Sequence, residues 1–472
     1  MQKFAEIVGV ANVLTDAADM APYLTDWTGA WTGDAAAVVR PGSTDEVAAL
    51  VLAAREAELP ITVQSGNTSV AGGSVPGAGK PGLVLSMSRL NRIREIDSAA
   101  RTATVDAGVV IEALQTATAE HGLDFPLMFG ARGTAQIGGA LATNAGGANV
   151  LRHGNARDLC LGIEAVLPSG EVVNGLSGLR KDNTGYDLRH LLMGSEGTLG
   201  IITGAVLKLV PTPKIRAAAF VALSEMDAAL DVLNALQDAT GGLVEAFEWL
   251  PRETVEAIRA HDPALRAPLE DAAETGILVE LASTRPDDAA TDESGEARLQ
   301  SLMLATIEPL MERGLIVDGF FATSEQQRLD LWRLREAVLE TIVAHGPFVA
   351  LDVSLPLSAV PEVLRQAQPL AEESGLKPLL VGHLGDGNIH YAVVAAPGQT
   401  WDPETVRSFS DRLTDLVTAY GGSYSAEHGI GRAKAATLAK RKDPAQLATM
   451  RAIKAALDPE SLLGRGILFS EV

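Results

Sequence analysis

The stretch Gly382-His383-Leu384-Gly385-Asp386-Gly387-Asn388-Ile389-His390 leaves a chain few ways to fold locally. On a straight strand, residues seven apart point to opposite faces. The Gly-Asp-Gly-Asn core is made of residues that tolerate a tight reversal, so it predicts a hairpin with both imidazoles on one side. Two neutral imidazoles held that way form half of a metal site. A hairpin that merely carries two histidines is the plain alternative.

A third ligand is offered by Ser425-Ala426-Glu427-His428-Gly429-Ile430-Gly431, where a carboxylate and an imidazole are adjacent. Neighbours on a regular strand diverge, and the two glycines permit the irregular backbone that would send both into one pocket. His383, His390 and Glu427 together leave an open coordination position, the pattern of a catalytic zinc site. Manganese, iron and cobalt also accept this ligand type. His428 is then a spare imidazole beside the metal and a natural general base. Three of the eight histidines fall in these two motifs, which favours chemistry over coincidence.

A chain of 472 residues is too long for one ordinary core, so two domains are expected. The formal charge of −22 opposes binding to nucleic acid or anionic membrane surfaces. The single cysteine, Cys160, excludes an internal disulfide framework and suits a reducing compartment. The N-terminus lacks a basic region followed by an apolar run, and no apolar stretch approaches the ~20 residues of a membrane span. The expectation is a soluble, cytoplasmic protein whose membrane links, if any, run through a partner.

Residues 38–75 read as strand, helix, strand and loop. Ser43 and Glu46 have capping-box spacing, and Val47, Leu50, Val51 and Ala54 form a helical apolar stripe. Pro60 ends the helix, and Ile61-Thr62-Val63 is a short buried strand running into Gln64-Ser65-Gly66-Asn67-Thr68-Ser69-Val70-Ala71-Gly72-Gly73. Such a small-residue loop exposes successive N–H groups that can cradle a phosphate. Gly79-Lys80 resembles the end of a nucleotide-triphosphate loop, but Ser74 stands where the first glycine belongs and Pro81 replaces the Ser/Thr. No GxGxxG opens a helix after a strand, so a nicotinamide domain is unsupported.

A longer block, Phe129 to Gly147, interleaves Gly, Ala and Thr with apolar residues and lets a backbone approach an extended ligand closely. Leu161–Leu167 with Pro168-Ser169-Gly170-Glu171 reads as a strand and its turn, and Gly194 to Ile202 as another small-residue loop and strand. Beyond Pro211, apolar strands (Ala217–Leu223, Ile277–Leu281, Ile316–Ala322) alternate with amphipathic helices (Met226–Leu236, Arg328–Ala344). That pattern predicts an α+β cap, a mostly antiparallel sheet covered by helices on one face. The acidic stretch from Pro286 to Glu296 reads as a solvated loop, and Asp443–Ala456 as a helix.

Asn67-Thr68 with Gly72-Gly73, Ile137-Gly138-Gly139, Ala142-Thr143-Asn144-Ala145-Gly146-Gly147, Lys181 to Asp187 and Gly194-Ser195-Glu196-Gly197-Thr198-Leu199-Gly200 together resemble the vanillyl-alcohol-oxidase type of flavoenzyme, in its FAD-linked D-2-hydroxy-acid dehydrogenase branch. The resemblance runs from about residue 35 to the C-terminus. It implies an α+β fold: a two-part PCMH-type FAD-binding domain (1–214), a cap (215–420) and a C-terminal segment (421–472) that returns to the FAD domain. It implies non-covalent FAD, its pyrophosphate on Gln64, Ser65, Gly66, Asn67, Thr68 and Ser69. Gly133, Thr134, Ile137, Gly138, Gly139, Thr143, Asn144, Gly146, Gly147, Glu196, Gly197, Gly200 and Ile201 would line the rest.

The same resemblance assigns one divalent metal, zinc foremost, to His383, His390 and Glu427, the base to His428, and the substrate carboxylate to Arg335, whose planar fork suits a bidentate clamp. Oxidation of a small 2-hydroxy acid, of the hydroxyglutarate or lactate kind, is the implied reaction. Metal and base would release the hydroxyl proton while hydride passes to the flavin. An electron-transfer flavoprotein or a quinone chain would accept the electrons, and a homodimer is one implied assembly. A flavin-binding subunit of a multi-subunit complex, not catalytic alone, is the alternative. The chain departs from its kin in three places: where close relatives put polar or cationic substrate contacts it has Leu339, Ala350 and Ala392. It departs again at the C-terminal Gly464-Arg465-Gly466-Ile467.

Overall fold

The computed structural model describes residues 1–77, 81–270, 273–291, 293 and 295–469, which fall into two units. One comprises Met1–Gly146, His153–Pro211 and Glu427–Val472; the other comprises Gly147–Arg152 and Thr212–Ala426. Gly79 and Lys80, the residues of the dismissed triphosphate loop, lie outside the described residues.

In the first unit, β1 (Val13–Leu14), β2 (Ala35–Val39), β3 (Ile61–Gln64) and β4 (Gly82–Ser86) form a sheet of order β1-β2-β4-β3, parallel where β4 meets β2 and β3. Between β2 and β3 runs helix α1 (Thr44–Glu56). Ser43 Oγ accepts from the Glu46 N–H at 3.2 Å while Glu46 Oε2 accepts from the Gly42 N–H at 2.7 Å, so two N-terminal donors are satisfied at once. Val47, Leu50, Val51 and Ala54 are all buried, as their spacing predicts.

The same unit holds an antiparallel five-stranded sheet, β5 (Ile93–Asp97), β6 (Thr102–Asp106), β7 (Cys160–Val166), β8 (Val172–Gly175) and β9 (Ile201–Lys208), ordered β5-β6-β9-β7-β8. One apolar core joins both sheets and the short helix α2 (Ile137–Thr143). The C-terminal segment extends the parallel sheet: Ile61 N–H donates to Leu462 O and Gly464 N–H to Ile61 O, beyond a helix over Pro444–Leu457.

The second unit is built on seven antiparallel strands. These are β10 (Ile215–Leu223), β11 (Val244–Pro251), β12 (Thr275–Ser283), β13 (Ile316–Phe321), β14 (Phe348–Ser354), β15 (Leu376–His383) and β16 (Asn388–Ala395), ordered β13-β10-β12-β11-β15-β16-β14. Alternate residues face opposite ways. On β16, Ile389, Tyr391 and Val393 enter one core, with helices α3 (Ala229–Thr240), α5 (Arg298–Glu312), α8 (Val360–Glu373) and α9 (Pro403–Ala419). Ala392 and Val394 enter the other, with α4 (Arg252–His261), α6 (Glu325–Glu336) and α7 (Val338–Ala344).

Helices therefore cover both faces rather than the one expected. The cause is legible in the strands: Ala217–Leu223 is an unbroken apolar run, Ile277–Leu281 is interrupted only by Glu280, and both bury both sides. The single helix expected over Arg328–Ala344 is interrupted at Ala337, between α6 and α7. The acidic stretch is less solvated than expected, since Asp288 is buried and accepts from Ser283 Oγ at 2.6 Å. Among the described residues, no helix is long and apolar enough to cross a membrane.

Candidate active site

The hairpin expected from Gly382–His390 forms: β15 ends at His383, β16 begins at Asn388, and Gly387 turns the chain with φ +80°. Its outcome is the expected one for the imidazoles. The His383 and His390 ring centroids lie 5.2 Å apart in an edge-on arrangement.

Each ring faces a buried carboxylate from a neighbouring strand. Glu248, fully buried on β11, sits opposite His383, whose Nδ1 lies 2.8 and 2.9 Å from the two carboxylate oxygens. An ionised carboxylate only accepts, so Nδ1 carries a proton. Arg335 on α6 donates through Nε to the same carboxylate, at 2.7 Å from Oε2. Burial alone would raise the Glu248 carboxyl, but the charges of His383 and Arg335 outweigh it and hold the group below the usual carboxylate range. Asp352 on β14 pairs across from His390, with its Oδ1 3.8 Å from Nδ1, and Asn388 Nδ2 fixes that oxygen at 2.9 Å.

Glu248, His383, His390 and Asp352 thus form one polar row across β11, β15, β16 and β14, on the face that packs against α4, α6 and α7. Imidazoles oriented by carboxylates are the usual second layer of a metal site, so the donor set fits a divalent ion. Sequence reading missed Glu248 and Asp352. The only signal was acidic residues inside a mostly apolar strand, as in Val244-Glu245-Ala246-Phe247-Glu248-Trp249-Leu250.

Beyond the edge strand β14, the chain runs through Ser423, which exchanges both backbone hydrogen bonds with Ser354, to Ala426, whose N–H donates to Asp352 O at 3.2 Å. Glu427 is the next residue, and there the chain passes into the first unit. In that unit His428 Nε2 lies 3.8 Å from Glu427 Oε1. The turn that follows is pinned from below. Glu196 accepts from the Ile430 and Gly431 N–H groups at 2.8 and 2.7 Å, and Ala71 O accepts from the Arg432 N–H at 2.9 Å. Burial pushes the Glu196 carboxyl up, against the two N–H donors that favour its charged form.

The loop after β3 has the form of a cradle. Gly66 takes φ +78°, and a Cβ there would lie 2.5 Å from Thr134 O; a Cβ on Gly139 would lie 3.0 Å from Ser65 O. The first loop and the second glycine block therefore meet backbone to backbone, which glycine alone permits. Gln64 and Asn67 brace the loop: Gln64 Nε2 donates to Tyr23 O and Ser74 O, and Asn67 accepts from Ser74 Oγ at 2.7 Å. The N–H groups of Ser69 and Val70 find no acceptor among the described residues, as a phosphate cradle requires. Ile137 and Ile201 put their side chains into the core, Gly138 packs against Ala107, and Thr143 Oγ1 bonds back to Gly139 O. Any contact of Ile137, Ile201 and Gly138 with a cofactor is through backbone, whereas the Thr143 hydroxyl can still accept a hydrogen bond.

Residues 35–175 match the FAD binding domain family, and residues 212–468 match the C-terminal domain of FAD linked oxidases. The chain is 37% identical over 470 residues to a D-2-hydroxyglutarate dehydrogenase of Xanthomonas citri pv. viticola, covering 98% of this chain and 95% of the relative. The chain belongs to the FAD-linked D-2-hydroxy-acid dehydrogenases. A mitochondrial D-2-hydroxyglutarate dehydrogenase of Bos taurus is 33% identical, covering 97% of this chain and 81% of that one. The solved structure of p-cresol methylhydroxylase with substrate bound shares the fold at TM-score 0.76 and 17% identity, covering 99% of this chain and 96% of the other. A member of this family is an FAD-binding oxidoreductase, and the backbone cradle around Gly66 fits such a cofactor.

Proposed function

We propose that the chain oxidises a D-2-hydroxy acid to the 2-oxo acid, with Arg335 and His428 as the substrate-handling residues. The observation that carries this reading is the shared carboxylate of Glu248, which sets a guanidinium and an imidazole side by side. A ligand bearing a carboxylate next to a hydroxyl is the small molecule that such a pair can hold at both ends.

Arg335 spends Nε on Glu248 and sets Nη2 3.5 Å from His383 Nδ1, and the proposed contact with the substrate carboxylate falls to its terminal nitrogens, Nη1 foremost. His383, His390 and Glu427 are the proposed holders of one divalent ion, zinc foremost, which when bound would lower the pKa of the substrate hydroxyl. Chain continuity supports Glu427 in that set, because it follows directly on Ala426, which is tied to Asp352 beside His390. His428 takes the hydroxyl proton. Loss of that proton lets C=O form as the C–H bond on the same carbon breaks, and FAD, when bound, would supply the acceptor for the hydride and its electron pair. The loop from Gln64 to Ser69 and the block from Gly133 to Gly147 would hold the cofactor, with Glu196, Gly197 and Gly200 bracing it.

Anaerobic reduction of the flavin by paired D- and L-2-hydroxy acids, with and without chelator, tests the reading. Bleaching by D-acids alone, abolished by chelator, is expected. His428→Asn should retain FAD and slow bleaching by ~10²–10⁴-fold. Unchanged bleaching in that variant would remove the base.

A further inference from the structure

The sheet face that carries the polar row continues past it, and its chemistry changes there. After the pair Asp352 and His390, the next pair on the same face of β14 and β16 is Ala350 and Ala392. Ala392 is buried under the helices, whereas Ala350, on the edge strand, is exposed. Past the break at Ala337, α7 shows Leu339 and Val343, one turn apart on that helix and 47% and 51% exposed. Only His345 to Pro347 separates α7 from β14, so these apolar side chains and Ala350 belong to one connected corner of the second unit.

Charge on that corner is mainly acidic, with Lys377 on β15 across from Val394 and His261 3.9 Å from Glu340 as basic groups alongside. Segments α7, β14 and β16 contain no Lys or Arg, and their charged side chains are Glu340 and Asp352. Farther along α6 and the sheet, Arg152, Arg216 and Arg328 are matched by Glu245, Glu280 and Glu325. Arg335 is itself half-committed to Glu248. One carboxylate on the ligand finds a cation at Arg335; a second, lying against Leu339, Val343 and Ala350, would meet methyl groups beside Glu340.

We propose that the substrate is a monocarboxylic D-2-hydroxy acid with an apolar side chain, which lies against Leu339, Val343 and Ala350. This rests on the D-2-hydroxy-acid reading above and adds its specificity. Exposed leucine and valine one turn apart on the helix beyond a carboxylate-binding arginine then have a use: apolar contact that tightens with each methylene.

The test is kcat/KM of the FAD-loaded protein with an artificial acceptor, for D-2-hydroxyisocaproate, D-phenyllactate and D-lactate against D-2-hydroxyglutarate and D-malate. The apolar acids should exceed the dicarboxylates by at least ~10-fold. Ala350→Lys, and separately Leu339→Arg, should shift that ratio towards the dicarboxylates by ~10-fold or more, with flavin content as the check on folding. A wild-type preference for D-2-hydroxyglutarate over every apolar acid would overturn the inference while leaving the reaction intact. If no D-2-hydroxy acid reduces the flavin, the reaction itself is wrong and the inference falls with it.

Discussion

In the first unit Gly66 and Gly139 matter for what they lack, whereas in the second Glu248 and Asp352 matter for the charge they carry. The glycine cradle is backbone built against backbone: a Cβ at either position would press on a main-chain oxygen of the facing segment. The polar row is side chain built on side chain, each imidazole set by a carboxylate from a different strand. A backbone site depends on local conformation and is written in contiguous residues. A side-chain site depends on sheet register, and its members lie as far apart in sequence as Glu248 and His383.

The comparison breaks most readily at Glu248. Removing one member of a buried charged group leaves the others uncompensated, so Glu248→Ala should lose roughly 3–5 kcal/mol of stability, seen as a lowered thermal midpoint. Glu248→Gln keeps the shape and should retain FAD, yet weaken metal binding by ~10–100-fold, as removal of an outer partner of a metal-bound histidine does. Metal titration followed by elemental analysis reads that directly. Wild-type metal affinity in Glu248→Gln would mean that the carboxylate row is structural only.

Gly66 tests the other side. A side chain at φ +78° is strained by ~1–3 kcal/mol, before any contact with Thr134 O is counted. Since ~1.4 kcal/mol is tenfold in binding, Gly66→Val should be purified with FAD content reduced about tenfold or more. Its metal affinity should stay at the wild-type level, because no ligand lies on that loop. Loss of metal together with flavin would show that the two kinds of site are not separable in this way.

This contrast explains what the sequence could reveal. The hairpin at Gly382–His390, the cap on α1 at Ser43 and the glycine blocks are all local, and each was readable from residues within a few positions of one another. Resemblance carried the candidate set further, because family motifs are themselves contiguous. Glu248 and Asp352 stayed hidden because nothing near them in sequence says which strand will lie alongside. Helices on both faces of the cap sheet were foreshadowed by unbroken apolar strands such as Ala217–Leu223, whose two-sided character outweighs the alternation expected of a half-covered sheet. The break at Ala337 had no such signal, since Arg328–Ala344 is helical in composition throughout.

A half-buried carboxylate with a purely structural place gives the smallest and most discriminating comparison. Glu164 on β7 accepts through Oε1 from Thr44 Oγ1 at 2.6 Å, Arg94 Nη2 at 2.8 Å and Thr203 Oγ1 at 3.0 Å. It thereby ties the start of α1 to two strands. Burial raises its carboxyl, but Arg94 and the hydroxyls together hold it below the ordinary range. A carboxyl whose folded value is depressed stabilises the protein fully above the unfolded value of about 4.3. That contribution is lost as pH falls through the depressed folded value. Glu164→Gln should therefore cost roughly 1–2 kcal/mol at neutral pH, with the gap to wild type narrowing in acid. Flavin reduction by the D-acid and metal affinity should both stay at wild-type levels. Thermal melts from pH 7 to 3 on the two proteins would show converging curves; parallel curves would mean that Glu164 is not the group whose charge holds that corner. Glu248→Gln and Glu164→Gln make the same chemical change at two ion-paired carboxylates in different units, so a loss of metal confined to the first separates function from support.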